Sequence, residues 1–365
     1  MDQLTGRLII RKLDTLKELH FSRVPRIFQN EPTMRLYLPN LKVLELSPDV
    51  NEPFALYLYE NISRIAPNLE EISGGMNIED LKVLPPQKYH LVKELLIHRY
   101  PLTETDEGDG PAVEIDTEAL KSLRLSGLTV NVSIHHDSAK CWEMIGTVLA
   151  SSQKSLQSLR IGACSLLNLV RTNLLDSVQF ERCESVYLGL VPHWFDAAAQ
   201  AQIRTISKGL DFSVLFPSLK YVSLIDDHPH GFYTDCYCCM NDPEPAGQPP
   251  SPCCTVSSLT DSYYLLSPQT FNFVSKMFPE VRTFECVNAY PDQVSCYGQV
   301  WTSWENLESA FLNFECGKGD NFDGLFCGVG DEEVKLLQKS SEEYLSSVVI
   351  VPSKPAITYL TSKHN

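Results

Sequence analysis

Long apolar runs are missing from this chain. No stretch approaches the roughly 18 consecutive apolar residues of a membrane-spanning helix. The first sixteen residues, MDQLTGRLIIRKLDTL, hold neither the apolar core nor the small-residue cleavage site of a secretory leader. Positive charge is scarce: 30 Lys and Arg stand against 46 Asp and Glu, a net charge of −16. Such a surplus repels phosphate backbones and anionic lipid, so neither nucleic acid nor a membrane is an expected partner. Cysteine is thin for a disulfide scaffold, with 12 in 365 residues. Seven stand far apart (Cys141, Cys164, Cys183, Cys286, Cys296, Cys316 and Cys327), several at apolar positions where a thiol serves as a small hydrophobe. A reducing compartment, cytoplasmic or nuclear, is the expected location. The sequons at Asn61 and Asn131 weigh little against it.

Catalytic signatures are equally sparse. There is no phosphate loop, no Gly-x-Ser-x-Gly elbow and no His-Glu-x-x-His helix. The glycine-rich residues 317–324 lack the Lys-Ser/Thr that would follow in a phosphate loop, and read as a surface turn. His135-His136-Asp137 reads as a polar turn before a helix, since neighbours on a strand face opposite ways. The acidic residues 104–109 lack the spacing of a calcium loop. Tyr263-Tyr264, Trp301 and Trp304 are expected to pack in the core or at its rim. No nucleophile, base and anion hole assemble, so no enzyme, cofactor or resident metal is expected.

What is present is a sizeable apolar fraction, 43%, and a repeat. Apolar, two mostly polar, apolar, any, apolar recurs ten times. The copies begin at Leu16, Leu41, Leu69, Val92, Leu120, Leu156, Cys183, Leu219, Val281 and Leu307. Six of the nine spacings lie between 23 and 28 residues, one is 62, and the other two are 36. Several copies share an approach, as in Leu38-Pro39-Asn40-Leu41, Ala66-Pro67-Asn68-Leu69, Phe216-Pro217-Ser218-Leu219 and Phe278-Pro279-Glu280-Val281. Proline removes an amide donor and disfavours helix in the residue before it, so it ends one helix and lets the chain turn into a strand. Helical spacing precedes it: Phe54, Leu58, Ile62 and Ile65 in one segment, Trp142, Ile145, Val148 and Leu149 in another with Asp137 as its cap. Each unit is a strand, a turn and a helix, which buries its apolar side only by stacking on its neighbours. The expectation is an α/β solenoid forming a single domain over residues 1–365. Its repeats span about 16–312 and a closing segment 330–365.

These copies, with their Pro-Asn/Ser-Leu approach and their pitch, resemble leucine-rich repeats of the F-box type. The resemblance covers residues from about 16 to 312 and implies a horseshoe, with the parallel sheet concave and the helices convex. It also implies a role as the substrate-recognition part of a ubiquitin-ligase receptor. The family carries an F-box of about 40–50 residues ahead of the repeats, and here the repeats begin by Leu16. A ligase core is therefore a partner only if an upstream F-box exists. The alternative within the same class is a stand-alone leucine-rich-repeat interaction protein.

The spacing of 62 marks an insertion over residues 226–261, with five prolines in 242–252. It carries His228, His230, Cys236, Cys238, Cys239, Cys253 and Cys254. Cys236 and Cys239 have the spacing of a zinc half-site, but Cys253-Cys254 is not a standard second half. A metal-binding role for this insertion is the alternative from another class, and a metal-free partner loop is the expected state. On the concave sheet, period two turns the middle residue of each Leu-x-Leu away from the core. The expected protein-binding residues are therefore His20, Glu45, Ser73, Leu96, Arg124, Arg160, Tyr187, Ser223, Glu285 and Phe311.

Overall fold

The computed structural model describes residues 15–21, 37–47, 52–99, 115–132, 139–190, 202, 206, 210–225, 251–261, 268–286, 303–313, 335 and 347–351. The chain separates into two compact units, residues 1–161 with 174–183, and residues 162–173 with 184–365.

In the first unit β1 (Glu18–Phe21), β2 (Val43–Leu46) and β3 (Glu71–Ser73) pair in parallel. So do β4 (Met76–Asn77), β5 (Glu94–Arg99), β6 (Gly127–Val132) and β7 (Ser158–Ile161). A single parallel bridge joins Ile72 to Val92. In the second unit β8 (Ser185–Gly189), β9 (Tyr221–Ile225), β10 (Ser258–Asp261), β11 (Thr283–Cys286), β12 (Ser309–Asn313) and β13 (Ser347–Val351) lie side by side in chain order, all parallel. Parallel neighbours need long crossovers, and among the described residues the helices Ile62–Ile65, Ala139–Ser152, Phe212–Leu215 and Pro268–Met277 lie in them.

The repeat pattern explains the register. Leu95, Leu128 and Leu159 are direct partners in the first unit. Val186, Val222, Leu259, Phe284 and Ala310 form the matching row in the second. All eight are buried, while the next residue along each strand is exposed or half-buried. Truncating one such leucine would cost about 2–5 kcal/mol.

The proline approach has a defined geometry. In several repeats the first motif residue donates its amide to the carbonyl three residues back, as Leu41 does to Leu38, Leu69 to Ala66, Leu219 to Phe216 and Leu307 to Trp304. The next two amides then converge on one carbonyl of the preceding repeat: those of Lys42 and Val43 on Lys17, those of Glu70 and Glu71 on Lys42. Proline fits just ahead of these donors because no amide is required there. Pro67, Pro217 and Pro279 accordingly stand two residues after the helices Ile62–Ile65, Phe212–Leu215 and Pro268–Met277.

The expected helices are present as Glu52–Glu60 with Ile62–Ile65, and as Ala139–Ser152. Phe54, Leu58, Ile62 and Ile65 are buried, as are Trp142, Ile145, Val148 and Leu149. Asp137 lies outside the described residues.

Two copies are placed differently from the sequence reading. Leu120 is not a strand residue; it ends the short helix Thr117–Leu120, whose cap Asp116 accepts from the amides of Glu118 and Ala119. The strand begins at Gly127, so the working copy is Leu125-Ser-Gly-Leu128-Thr-Val130. Leucines spaced three apart satisfy a helix and its turn as well as a strand, and Leu120, Leu123 and Leu125 are all buried. The second difference lies at the end of the supposed insertion. Residues 251–261 include a full copy, Val256-Ser-Ser-Leu259-Thr-Asp261, with Cys253 in the place of Phe216 or Phe278. Its last core position is a fully buried aspartate, which hid it from an apolar pattern.

Candidate protein-binding face

Strand alternation divides each sheet into a buried face and an open one. In β2, Leu44 and Leu46 are buried and Glu45 is exposed; β7 repeats this with Leu159, Ile161 and Arg160. In the first unit His20, Glu45 and Ser73 are consecutive cross-strand partners, and so are Leu96, Thr129 and Arg160. In the second unit the row runs Tyr187, Ser223, Thr260, Glu285 and Phe311.

Nine of the ten expected residues therefore occupy strand positions of the open faces. Arg124 does not. It precedes β6, and its guanidinium donates to the carbonyls of Lys121, Leu123 and Ser151. Thr129 holds the sheet position the motif assigned to Arg124. Three more positions were missed: Asn77 beside Leu96, Thr260 between Ser223 and Glu285, and Val349 beside Phe311. Moving the fifth copy five residues along would have given Thr129. Thr260 had a weak signal, because Cys253 and Asp261 replace the usual apolar residues.

The electrostatics of the two faces differ. In the first unit Glu18, Glu71 and Glu94 add to Glu45. His20 Nδ1 is hydrogen-bonded to Glu45, and this bond, with the charges of Glu45 and Glu18, raises the imidazole above its ordinary pKa of 6.5. In the second unit the outward residues that open each strand are Ser185, Tyr221, Ser258, Thr283 and Ser309. Of the ten outward residues that open and centre β8–β12, eight carry a hydroxyl and Glu285 is the one carboxylate. Tyr187 and Tyr221 are 38% and 51% exposed, unusual for large aromatic residues. The nearby cations sit in the turns before the strands. Lys220 pairs with Glu184 at 2.8 Å and Arg282 with Glu308 at 3.4 Å.

No family model matches this chain, and no curated protein matches it. Among the solved structures similar to this chain is one in the crystal structure of the Rad7 and Elc1 complex in yeast, 13% identical, with 89% of this chain and 86% of that one covered. The TM-score is 0.36, too low to carry an argument.

Of the cysteine-rich segment, His228, His230, Cys236, Cys238 and Cys239 lie outside the described residues. Cys253 is fully buried, with its amide donated to Met277 at 2.7 Å, whereas Cys254 is exposed. The two neighbours face different environments. Among the described residues no group of three His, Cys, Asp or Glu side chains could hold a metal ion. Also among them, no helix is long and apolar enough to cross a membrane. The residues 104–109 and 317–324, His135-His136-Asp137, Tyr263-Tyr264 and Trp301 are outside the described residues; Trp304 is core.

Proposed function

We propose that this chain is a non-enzymatic, leucine-rich-repeat binding scaffold that holds a protein partner on the open faces of its parallel sheets. One observation carries the reading: consecutive strands present their alternate residues to solvent in register, with Tyr187, a residue type enriched at binding hot spots, standing exposed on such a row. Repeat proteins commonly bind their partners on the open face of such a stacked sheet. The resemblance of the motif copies to F-box-type repeats further supports a role as the substrate-recognition part of a ubiquitin-ligase receptor.

Affinity purification with mass spectrometry tests both levels. One bait is this 365-residue chain and the other is the natural transcript with any upstream exon. A third, the chain with Arg160→Ala and Tyr187→Ala, identifies partners held by the open faces. Cullin-type ligase subunits with the longer bait support the receptor role. Their absence from both baits, beside a partner lost with the double variant, leaves a stand-alone scaffold. A partner set unchanged by the double variant overturns the use of these faces.

A further inference from the structure

The open face of β8–β12 has a chemistry of its own. Serine and threonine hydroxyls carpet it, two exposed tyrosines stand on adjacent strands at one side, and one carboxylate, Glu285, stands three strands from Tyr187. Tyrosine with serine is the composition of antibody-like binding surfaces, where rigid aromatic rings supply contact area and small hydroxyls adapt to backbone groups. The ring faces of Tyr187 and Tyr221 and the Glu285 carboxylate attract the same kind of group, a cation. No lysine or arginine occupies an outward position of β8–β12, and Lys220 and Arg282 beside it are each matched by a glutamate.

Resting on the protein-binding reading above, we infer that this face receives an extended protein segment bearing arginine or lysine. One basic side chain lies on the tyrosine pair and a second meets Glu285. The spacing follows from the sheet. Tyr187 and Glu285 share a row, and three strand separations make about 14 Å. A segment crossing the strands in extended form advances about 3.3 Å per residue, so the two basic residues stand four apart. The hydroxyls of Ser223 and Thr260, between them in the row, face the backbone of that segment.

A phage-displayed library of random 12-residue peptides, panned against the full chain, tests this. Enriched peptides are then remade with fluorescein and measured by polarisation. The expected outcome is enrichment of Arg or Lys at positions four apart, with binding weakened about tenfold or more by Tyr221→Ser and by Glu285→Gln. Glu285→Lys should turn the preference toward acidic peptides. Thermal melts of each variant separate lost binding from lost folding. Enriched peptides without basic residues that still lose binding to Tyr187→Ser overturn the basic chemistry while leaving the face as a protein site. Peptides that bind all variants equally overturn the site itself. A library that enriches nothing overturns the extended segment, and the purification experiment above decides the broader reading independently.

Discussion

The indole N–H of Trp304 donates to the backbone carbonyl of Phe278 at 2.7 Å, tying one repeat to the one before it. Both residues hold the same place, three residues ahead of a motif copy, and both are buried. The Trp304 ring also meets Phe271 and Phe284 edge-on or tilted, with centroids 4.9 and 5.6 Å away. This cluster of large side chains joins neighbouring repeats.

Trp304→Ala is expected to destabilise the second unit by about 3–5 kcal/mol, since it opens a cavity among aromatic rings. Trp304→Phe should lose less, about 1–3 kcal/mol, because it fills most of the volume but strands the Phe278 carbonyl. Urea denaturation of the three proteins checks the order; equal losses would show that the cavity adds little beyond the lost hydrogen bond.

Gly74 has φ of +94°, and an added Cβ would lie 2.1 Å from the Leu46 carbonyl oxygen. Gly75, at φ +85°, would meet only the flexible end of Leu96 at 3.1 Å. Gly74→Ala should therefore destabilise the first unit by more than the roughly 1–3 kcal/mol of backbone strain alone. Gly75→Ala should stay near that strain value. Equilibrium unfolding of the two variants gives the comparison.

The His20 imidazole is raised by its hydrogen bond to Glu45, and the charges of Glu45 and Glu18 act in the same direction. The folded form holds the proton more tightly than the unfolded chain. The stabilisation is complete below the ordinary pKa of 6.5 and disappears as pH rises through the raised value. An NMR titration should place His20 above 6.5, and Glu45→Gln should bring it back down.

Asp211 caps the helix Phe212–Leu215 through the amides of Ser213 and Val214. The Ser213 hydroxyl bond, with those amides, lowers its carboxyl below the ordinary 3.8. Asp211→Ala should cost about 0.5–2 kcal/mol at neutral pH. The unfolded state binds the proton more readily, so this contribution is whole well above 3.8 and fades as pH falls through the depressed value. Thermal melts of both proteins at pH 7 and pH 3 should show the gap between them closing at the lower pH.

In the native protein iodoacetamide should label Cys254 quickly and reach Cys253 only after unfolding, as read by peptide mass spectrometry. Equal labelling would contradict the burial of Cys253.

The sequence by itself determined the strand, turn and helix unit. Stacked repeats need the same apolar positions each time, and a turn that tolerates proline at the same place. That regularity made nine outward residues legible, from His20 to Phe311. Where leucine spacing served two structures equally, the pattern failed: Leu120, Leu123 and Leu125 are buried in either register, and only the pairing of Thr129 with Leu96 and Arg160 decides between them. The copy ending at Asp261 was hidden for the opposite reason, since its core position holds a carboxylate that no apolar pattern predicts. The grouping of Tyr187 and Tyr221 on one open face was likewise decided by tertiary structure, because two residues 34 apart in sequence become neighbours only when β8 and β9 pair.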